Sequence, residues 1–238
     1  MKFTLTAFVM IMTITCALEA KAPNPPQVID AGSFGVFVNG RRVATETFKI
    51  EQKAGGSTAK SELKVEDGSM QRSEMELTDH GDIVRYGWQQ EKPTKAELSV
   101  VPKDEFLTET INTGPNQKTF SVPHLMPHST PILDDNFFMH REILIWRYLA
   151  LGCTSKPEGL SCNSAPQQFG VLIPTQHASE IVTVDFKGKE KISLKGKDLE
   201  CSSFRLHTEE TNLLIYMDDQ KKVVRMLASA SGLEVVRD

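Results

Sequence analysis

Three histidines and two aspartates are the residues in this sequence whose types could together hold a metal ion. His124 and His128 precede the adjacent Asp134 and Asp135, and His140 follows them. Imidazole and carboxylate groups that converge at the start of a helix can bind zinc. However, His124 and His128 lie in a proline-rich stretch, where the helical spacing that would aim both rings at one ion is not expected. We therefore interpret the stretch as a structural loop with solvent-facing histidines, and we predict no metal and no other cofactor.

Standard catalytic motifs are absent from the sequence. There is no Gly-x-Ser-x-Gly nucleophile elbow, no His-Glu-x-x-His pair, no Cys-x-x-Cys pair and no glycine-rich phosphate loop that ends in Lys-Ser or Lys-Thr. Asp134 and Asp135 could act as an acid–base pair, but adjacent residues at a helix start usually point in different directions. We expect one of them to cap the helix instead. The sequence therefore does not indicate an enzyme, and a metal-dependent or other hydrolase is the weakest of three hypotheses.

Three of the four cysteines lie in the second half of the chain. Cys153 and Cys162 bracket a Pro157-Glu158-Gly159 turn that would bring them together, so we predict a disulfide between them in an oxidising compartment. Closing this loop would stabilise the fold by roughly 2 to 3 kcal/mol on the chain-entropy model. Pairing of Cys162 with Cys201 stays open, because spacing does not fix connectivity. We interpret Cys201 as a buried structural thiol.

The N-terminal segment predicts export from the cytoplasm. Met1-Lys2 supplies a positive charge, residues 3–18 are apolar, and Ala20-Lys21-Ala22 resembles a small-residue cleavage site. This is the pattern of a secretory signal peptide, and its apolar core is shorter than the ~20 residues that a bilayer span requires. We predict a signal peptide over residues 1–22, a single β-rich domain over residues 23–238, and a periplasmic location. No later segment resembles a transmembrane helix.

The charge of the chain gives no reason to expect nucleic acid as a partner. The formal net charge is −4, and nucleic-acid binding favours a basic protein. One basic cluster consists of Lys187, Lys189, Lys191, Lys195 and Lys197. We interpret it as a solvated hairpin whose lysines protect an exposed strand edge, rather than as a patch for anionic lipid or another polyanion.

Residues 137–151 are the only long segment with the pattern of a helix. Its polar residues are His140, Arg141, Glu142 and Arg147. The rest of its circumference is apolar, and such a helix must be buried nearly all round. We predict a helix over residues 135–151, ended by Gly152 and covered by a strongly curved sheet.

Alternating apolar and polar residues predict strands through most of the remaining chain. Residues 34–38 and 41–43 flank Asn39-Gly40, the dipeptide that most readily adopts the positive φ of a type I′ turn. A second hairpin is predicted from residues 213–217 and 223–226. Because each alternating run has one polar face, the strands predict an antiparallel meander.

Three motifs give the chain a resemblance to known proteins. They are Gly35-Val36-Phe37-Val38-Asn39-Gly40-Arg41, Leu133-Asp134-Asp135-Asn136-Phe137-Phe138 followed by Trp146-Arg147-Tyr148-Leu149, and Leu214-Ile215-Tyr216-Met217-Asp218-Asp219. Their order resembles exported bacterial families of unknown function whose domain is similar to the periplasmic lipoprotein-localisation carriers. The resemblance implies a mainly β fold, in which a large curved antiparallel sheet, an incomplete barrel, wraps around one long α-helix. Relatives of that shape hold acyl chains or other apolar groups between sheet and helix, but no functional residue carries over.

Two hypotheses of function rank ahead of the hydrolase hypothesis. The first is a noncatalytic envelope protein that binds a lipid-like or apolar molecule between helix and concave sheet. Its predicted cavity is lined by Phe137, Phe138, Leu144, Trp146 and Tyr148. The second is a structural or interaction module whose helix fills the sheet and whose exposed edges engage another envelope protein, for instance by strand addition.

Overall fold

The computed structural model describes residues 25–112, 119–156, 159–209 and 211–238. The predicted signal peptide, residues 1–22, lies outside them. Within the described residues the chain forms one α-helix, α1 (Met139–Gly152), and sixteen strands. The strands are β1 (Gln27–Val38), β2 (Arg41–Lys53), β3 (Gly56–Val65), β4 (Met70–Leu77), β5 (Ile83–Lys92), β6 (Ala96–Lys103), β7 (Phe106–Asn112), β8 (Phe120–His124), β9 (Cys153–Lys156), β10 (Gly159–Cys162), β11 (Gln167–Ile173), β12 (Ala178–Leu194), β13 (Lys197–His207), β14 (Asn212–Met217), β15 (Val223–Ala228) and β16 (Leu233–Arg237).

Fourteen of the described strands form one antiparallel sheet that does not close into a barrel. Its order is β11-β12-β13-β14-β15-β16-β1-β2-β3-β4-β5-β6-β7-β8, so β8 and β11 are its two edges. Because β1 pairs with both β16 and β2, the first and last strands lie side by side within the sheet. β9 and β10 form a separate hairpin. The predicted fold class, a mainly β chain whose large curved antiparallel sheet wraps around one helix, is confirmed.

The loop after β8 links the two edges of the sheet. Ile132 forms a parallel bridge with Leu172 of β11. The N–H of Leu133 donates to the carbonyl of Leu172 at 2.9 Å, and the N–H of Leu172 donates to the carbonyl of Pro131 at 3.0 Å. The predicted proline-containing connection therefore covers part of the β11 edge, whose backbone groups would otherwise be unpaired.

The hairpin at the start of the domain forms as its turn residues predict. Asn39 and Gly40 connect β1 to β2 and have φ values of 50° and 80°. These positive angles are the ones that a type I′ turn needs, and they match the twist of the two strands that it joins. The hairpin prediction is confirmed.

Helix α1 begins later than the sequence predicts. It starts at Met139 rather than near residue 135, and no side chain at its N-cap position, Phe138, caps it. Asp134 and Asp135 lie in the turns that precede it, where the N–H of Phe137 donates to the Asp134 carbonyl at 3.3 Å. The predicted aspartate cap is therefore wrong, because the carboxylate of Glu46 in β2 accepts the N–H groups at the helix start instead. The helix ends at Gly152, as predicted.

Cysteine placement agrees with the sequence. Cys153 and Cys162 lie opposite each other in the β9–β10 hairpin and form a disulfide, which confirms the predicted pair. Cys201 is a free, buried thiol. It packs with Ile192 and Tyr216 in a small apolar cluster apart from the main core. None of the described helices is long and apolar enough to cross a membrane.

The basic cluster, within residues 187–197, lies on the half of the β12–β13 hairpin that is nearer its turn. Pairing of β11 with β12 ends at Val184, and pairing of β14 with β13 ends at Ser202. Residues between these points pair only with each other. Both sides of this part of the hairpin are therefore strand edges of the kind that lysines commonly protect.

Candidate functional site

The N-terminus of helix α1 rests on a buried carboxylate from the sheet. Glu46 of β2 accepts the N–H of Phe138 at 2.7 Å, the N–H of Met139 at 3.3 Å and the hydroxyl of Ser61 at 2.6 Å. Burial raises the pKa of Glu46 to about 7, although these three donors lower it. A carboxylate at this end also suits the helix dipole. Glu46 therefore sets where the helix begins.

Asp134 connects the turn before the helix to two other parts of the chain. Its carboxylate accepts the hydroxyl of Tyr86 at 2.7 Å and the hydroxyl of Thr175. Burial raises the pKa of Asp134, against the effect of these hydrogen bonds. Because both carboxylate oxygens are engaged, Asp134 acts as a structural link.

Arg141 satisfies the backbone of the same turn. Its guanidinium donates to the carbonyls of Asp134 at 2.7 Å and Phe137 at 2.9 Å. It also donates to the Asp135 carboxylate at 3.2 Å. Buried carbonyl groups need such partners, so a charged side chain is tolerated in the core. Three consecutive polar helix residues, 140–142, are all buried.

Ser73, His140 and Asp134 share the residue types of a hydrolase triad but not its geometry. The hydroxyl of Ser73 lies 3.5 Å from Nε2 of His140. However, Nδ1 of His140 accepts the backbone N–H of Asp134 at 3.2 Å, and the Asp134 carboxylate does not orient the ring. Neutral His140 must then carry its proton on Nε2, where it cannot take one from Ser73. Burial lowers the pKa of His140 to about 3.

The three histidines considered as metal ligands, His124, His128 and His140, do not share a site. Nε2 of His124 lies 2.9 Å from Glu109, and His140 packs in the core against Tyr86. Nε2 of His128 is buried, with no hydrogen-bond partner among the described residues. In the described part of the chain, no group of three His, Cys, Asp or Glu side chains is placed to hold a metal ion. The expectation that the loop histidines face solvent is wrong for His124, because its side chain is only 10% exposed and lies against Glu109.

A buried ionic cluster lies on another side of the helix, where β1 pairs with β16. Nη2 of Arg237 in β16 lies 2.5 Å from Asp30 of β1 and 3.3 Å from Glu142 of α1. Nζ of Lys222 lies 3.1 Å from Asp30. Burial would raise the pKa of Asp30, but Arg237 and Lys222 lower it. Burial raises the pKa of Glu142 to about 8. The cluster therefore joins α1, β1 and β16.

A surface groove of about 480 Å³ lies beside this cluster, along the C-terminal half of the helix. Its apolar lining consists of Ile29, Trp146, Leu149, Ala150, Cys153 and Leu160. Its polar lining consists of Gln220, Lys221 and Lys222. The apolar lining thus comes from β1, α1 and the β9–β10 hairpin, and the polar lining from the turn between β14 and β15.

Local structure fixes each wall of the groove. A shift in strand register between Val28 and Asp30 leaves Ile29 as an extra residue, so Asp30 is buried while Ile29 is 41% exposed. The indole N–H of Trp146 donates to the Lys221 carbonyl at 2.7 Å. The disulfide holds together the β9–β10 hairpin, which supplies Leu160. The groove is therefore built by four separate segments of the chain.

The five predicted cavity residues do not line one space. Phe137, Phe138 and Leu144 belong to the main core and are at most 8% exposed. Trp146 lines the groove, whereas Tyr148 lines a second pocket of about 950 Å³ that also includes Leu151, Asn163, Arg205 and His207. Residues two apart on a helix point about 200° from each other, which separates Trp146 from Tyr148.

Sequence reasoning missed most of the groove. Leu149 and Ala150 follow Trp146 by three and four residues, so helical periodicity places them on the same face and could have found them. Ile29 and Leu160 carry no such signal, because the fold brings them in from distant segments.

A larger depression of about 640 Å³ lies over the sheet around Gly87. Four of its charged side chains form two ion pairs, Lys60 with Glu74 at 3.0 Å and Arg72 with Glu62 at 2.8 Å. We do not assign a ligand to it.

The comparisons with known proteins support the fold. A crystal structure of a β-barrel-like protein of the domain of unknown function DUF1849, from Brucella abortus, is similar to this chain with a TM-score of 0.53. The similarity covers 87% of this chain and 94% of that chain at 9% sequence identity. No family model matches the chain, and no curated protein matches it. The likeness shows a shared fold and leaves the function to the site.

Proposed function

We propose that the protein binds a lipid-like or apolar ligand in the groove beside Trp146, without catalysing a reaction on it. The observation that carries this proposal is the composition of the groove. Its wall presents an indole, aliphatic side chains and a disulfide around a space of about 480 Å³. Small-molecule sites have this size and are mostly apolar with a few polar groups.

The ligand would lie on the outer side of the helix. Phe137 and Leu144 are at most 1% exposed, so the side that faces the sheet is filled by protein. Ile29 is 41% exposed at the rim of the groove, and a bound apolar molecule would remove it from water. This differs from the cavity between helix and concave sheet that the sequence predicts.

Fluorescence can test the proposal, because Trp88 and Trp146 are the two tryptophans of the chain. Trp88 lies elsewhere, with its indole N–H donating to Gln71 at 3.1 Å. In a Trp88→Phe variant, a dibrominated stearate should quench the remaining Trp146 emission at saturable, micromolar concentrations. In the matched Trp146→Phe variant, the same probe should leave the Trp88 emission unchanged. Equal quenching in both variants, or in neither, would overturn the proposal.

We also propose that the protein is exported to the periplasm. The signal-peptide pattern of residues 1–22 supports this, as does a disulfide, which persists mainly in oxidising compartments. When the full chain is expressed in a bacterium, mass spectrometry of the periplasmic fraction should find an N-terminus at or near Lys21 or Pro23. A cytoplasmic chain that keeps Met1 would contradict export.

A second candidate function is an interaction module that uses the β8 edge. Among the described strands, β8 pairs only with β7. Phe120 is 56% exposed on it and Leu125 just after it is 79% exposed, so an added strand from a partner would find apolar contacts. Phe120→Ser and Leu125→Ser together should abolish capture of an envelope protein without changing the Trp146 quenching.

A further inference from the structure

We infer that the groove selects a single-chain amphiphile with an anionic head group, and that the Lys221 ammonium binds this head group. The inference rests on the proposed function and names its ligand class. The polar lining comes from one turn, residues 220–222, whereas the apolar lining comes from three other segments of the chain. A molecule with one polar and one apolar end suits such a lining.

Lys221 and Lys222 both line the groove, but only one of them is already engaged. Lys222 lies 3.1 Å from Asp30, which is 1% exposed and is also paired with Arg237. The Lys221 ammonium has no hydrogen bond or ion pair within the described part of the chain, and Lys221 is exposed. A ligand anion can therefore pair with Lys221 without breaking an existing pair, and the buried carboxylate beside Lys222, Asp30, is already paired with two cations.

The backbone fixes Lys221 relative to the apolar wall. Lys221 has a φ of 62°, and its N–H donates to the carbonyl of Asp218 at 3.1 Å. The N–H of Lys222 donates to the Asp218 side chain at 2.8 Å, and the Lys221 carbonyl accepts the Trp146 indole N–H at 2.7 Å. The base of the lysine side chain and the indole thus keep one relative position. A pre-formed arrangement of this kind lowers the entropic cost of binding.

The size of the groove favours one acyl chain. Its volume, about 480 Å³, lies in the lower half of the range for small-molecule sites, which extends to about 1,000 Å³. Oleate is a suitable probe, since it combines one chain with one carboxylate. Oleyl alcohol is its uncharged counterpart with the same chain.

The test compares these two probes in the Trp88→Phe protein, below their micelle-forming concentrations, with Trp146 emission as the signal. Oleate should bind about fivefold more tightly than oleyl alcohol, as one partly exposed ion pair allows. Lys221→Gln should remove this preference while leaving the affinity for oleyl alcohol unchanged. Lys195→Gln is the matched control, since Lys195 is also an exposed turn lysine with positive φ, 51°, but lies outside the groove.

Each outcome decides a separate claim. If both probes bind Trp88→Phe equally well, the head-group inference is overturned and the proposed function stands. If neither probe changes the Trp146 emission, the proposed function itself is overturned. If Lys195→Gln and Lys221→Gln weaken oleate binding equally, overall charge and not Lys221 provides the preference, and the assignment of Lys221 is wrong.

Discussion

The carboxylate of Glu46 accepts the backbone N–H of Phe138 at 2.7 Å, across 92 residues of sequence, and so determines where the helix begins. Replacing Glu46 with Ala would leave two buried backbone N–H groups and the Ser61 hydroxyl without their acceptor. Each unsatisfied buried group costs about 1 to 3 kcal/mol. We therefore expect Glu46→Ala to lower the free energy of unfolding by about 3 kcal/mol, measured by urea denaturation.

Glu66→Ala is the control for this prediction. Glu66 pairs with Arg41, and both side chains are largely exposed. Removal of an exposed pair typically changes stability by less than about 1 kcal/mol. Equal losses in the two variants would show that Glu46 is not a special anchor of the helix.

The pKa of Glu142 makes stability depend on pH. Because its pKa is raised from 4.5 to about 8, the folded state holds a proton that the unfolded state releases, and stability falls as pH rises between these values. The pKa of Glu46 is raised to about 7, so this group also makes stability fall as pH rises. The pKa of His140 is lowered from 6.5 to about 3, so this group makes stability rise with pH, but only below pH 6.5. The net fall should therefore be clearest between pH 6.5 and 8.

Glu142→Gln should make this fall smaller, because the amide resembles the protonated acid and does not titrate. Urea unfolding of both proteins at pH 6.5 and pH 8 would measure the difference. Glu234→Gln is the control, since Glu234 is a partly exposed partner of Arg225. A fall in stability that is the same in wild type and Glu142→Gln would rule out Glu142 as its source.

The disulfide makes a specific prediction about thiols. Cys153 and Cys162, nine residues apart, are bonded, and Cys201 is free. Protein unfolded without reductant should take up an alkylating reagent at Cys201 and not at Cys153 or Cys162, as peptide mass spectrometry can show. Double replacement of the bonded pair by serine should cost about 2 to 3 kcal/mol. A Cys162–Cys201 cross-linked peptide would contradict the connectivity.

The sequence predicts those features that depend on neighbouring residues. Asn39-Gly40 specifies its own turn, and the short spacing of Cys153 and Cys162 favours their bond. The helix start could not be predicted, because the group that caps it comes from a strand 92 residues earlier. Asp134 has the residue type of a cap, but Tyr86 and Thr175 engage its carboxylate. Tertiary contacts therefore override a strong local preference.

The groove, too, could be predicted only in part from the local sequence. A helical pattern places Trp146 on a face with Leu149 and Ala150, and so gives one wall. Ile29 enters only through an irregularity in the pairing of β1 with β2, and Lys221 only through a turn whose carbonyl accepts the Trp146 indole. Neither relationship can be predicted from the sequence of the helix alone.

Glu109 provides a final prediction, because it connects the two edges of the sheet. It is fully buried in β7, and its two oxygens lie 2.9 Å from His124 of β8 and 2.6 Å from His177, just after β11. Glu109→Leu would remove the acceptor for both rings. We expect a loss of about 1 to 3 kcal/mol, mainly from the His124 ring, which is only 10% exposed, because the half-exposed His177 ring can bond water instead.

Hydrogen exchange separates this edge effect from general destabilisation. If Glu109 links the edges, exchange in Glu109→Leu should become faster in residues 120–133 and 167–177, while the β1–β2 hairpin keeps its protection. The β1–β2 hairpin is a suitable internal reference because both strands are central in the sheet, away from either edge. Local opening of one part of a fold produces such regional change, whereas global unfolding exposes all amides alike. Uniformly faster exchange would show that Glu109 supports the core as a whole and does not act as a link between β8 and β11.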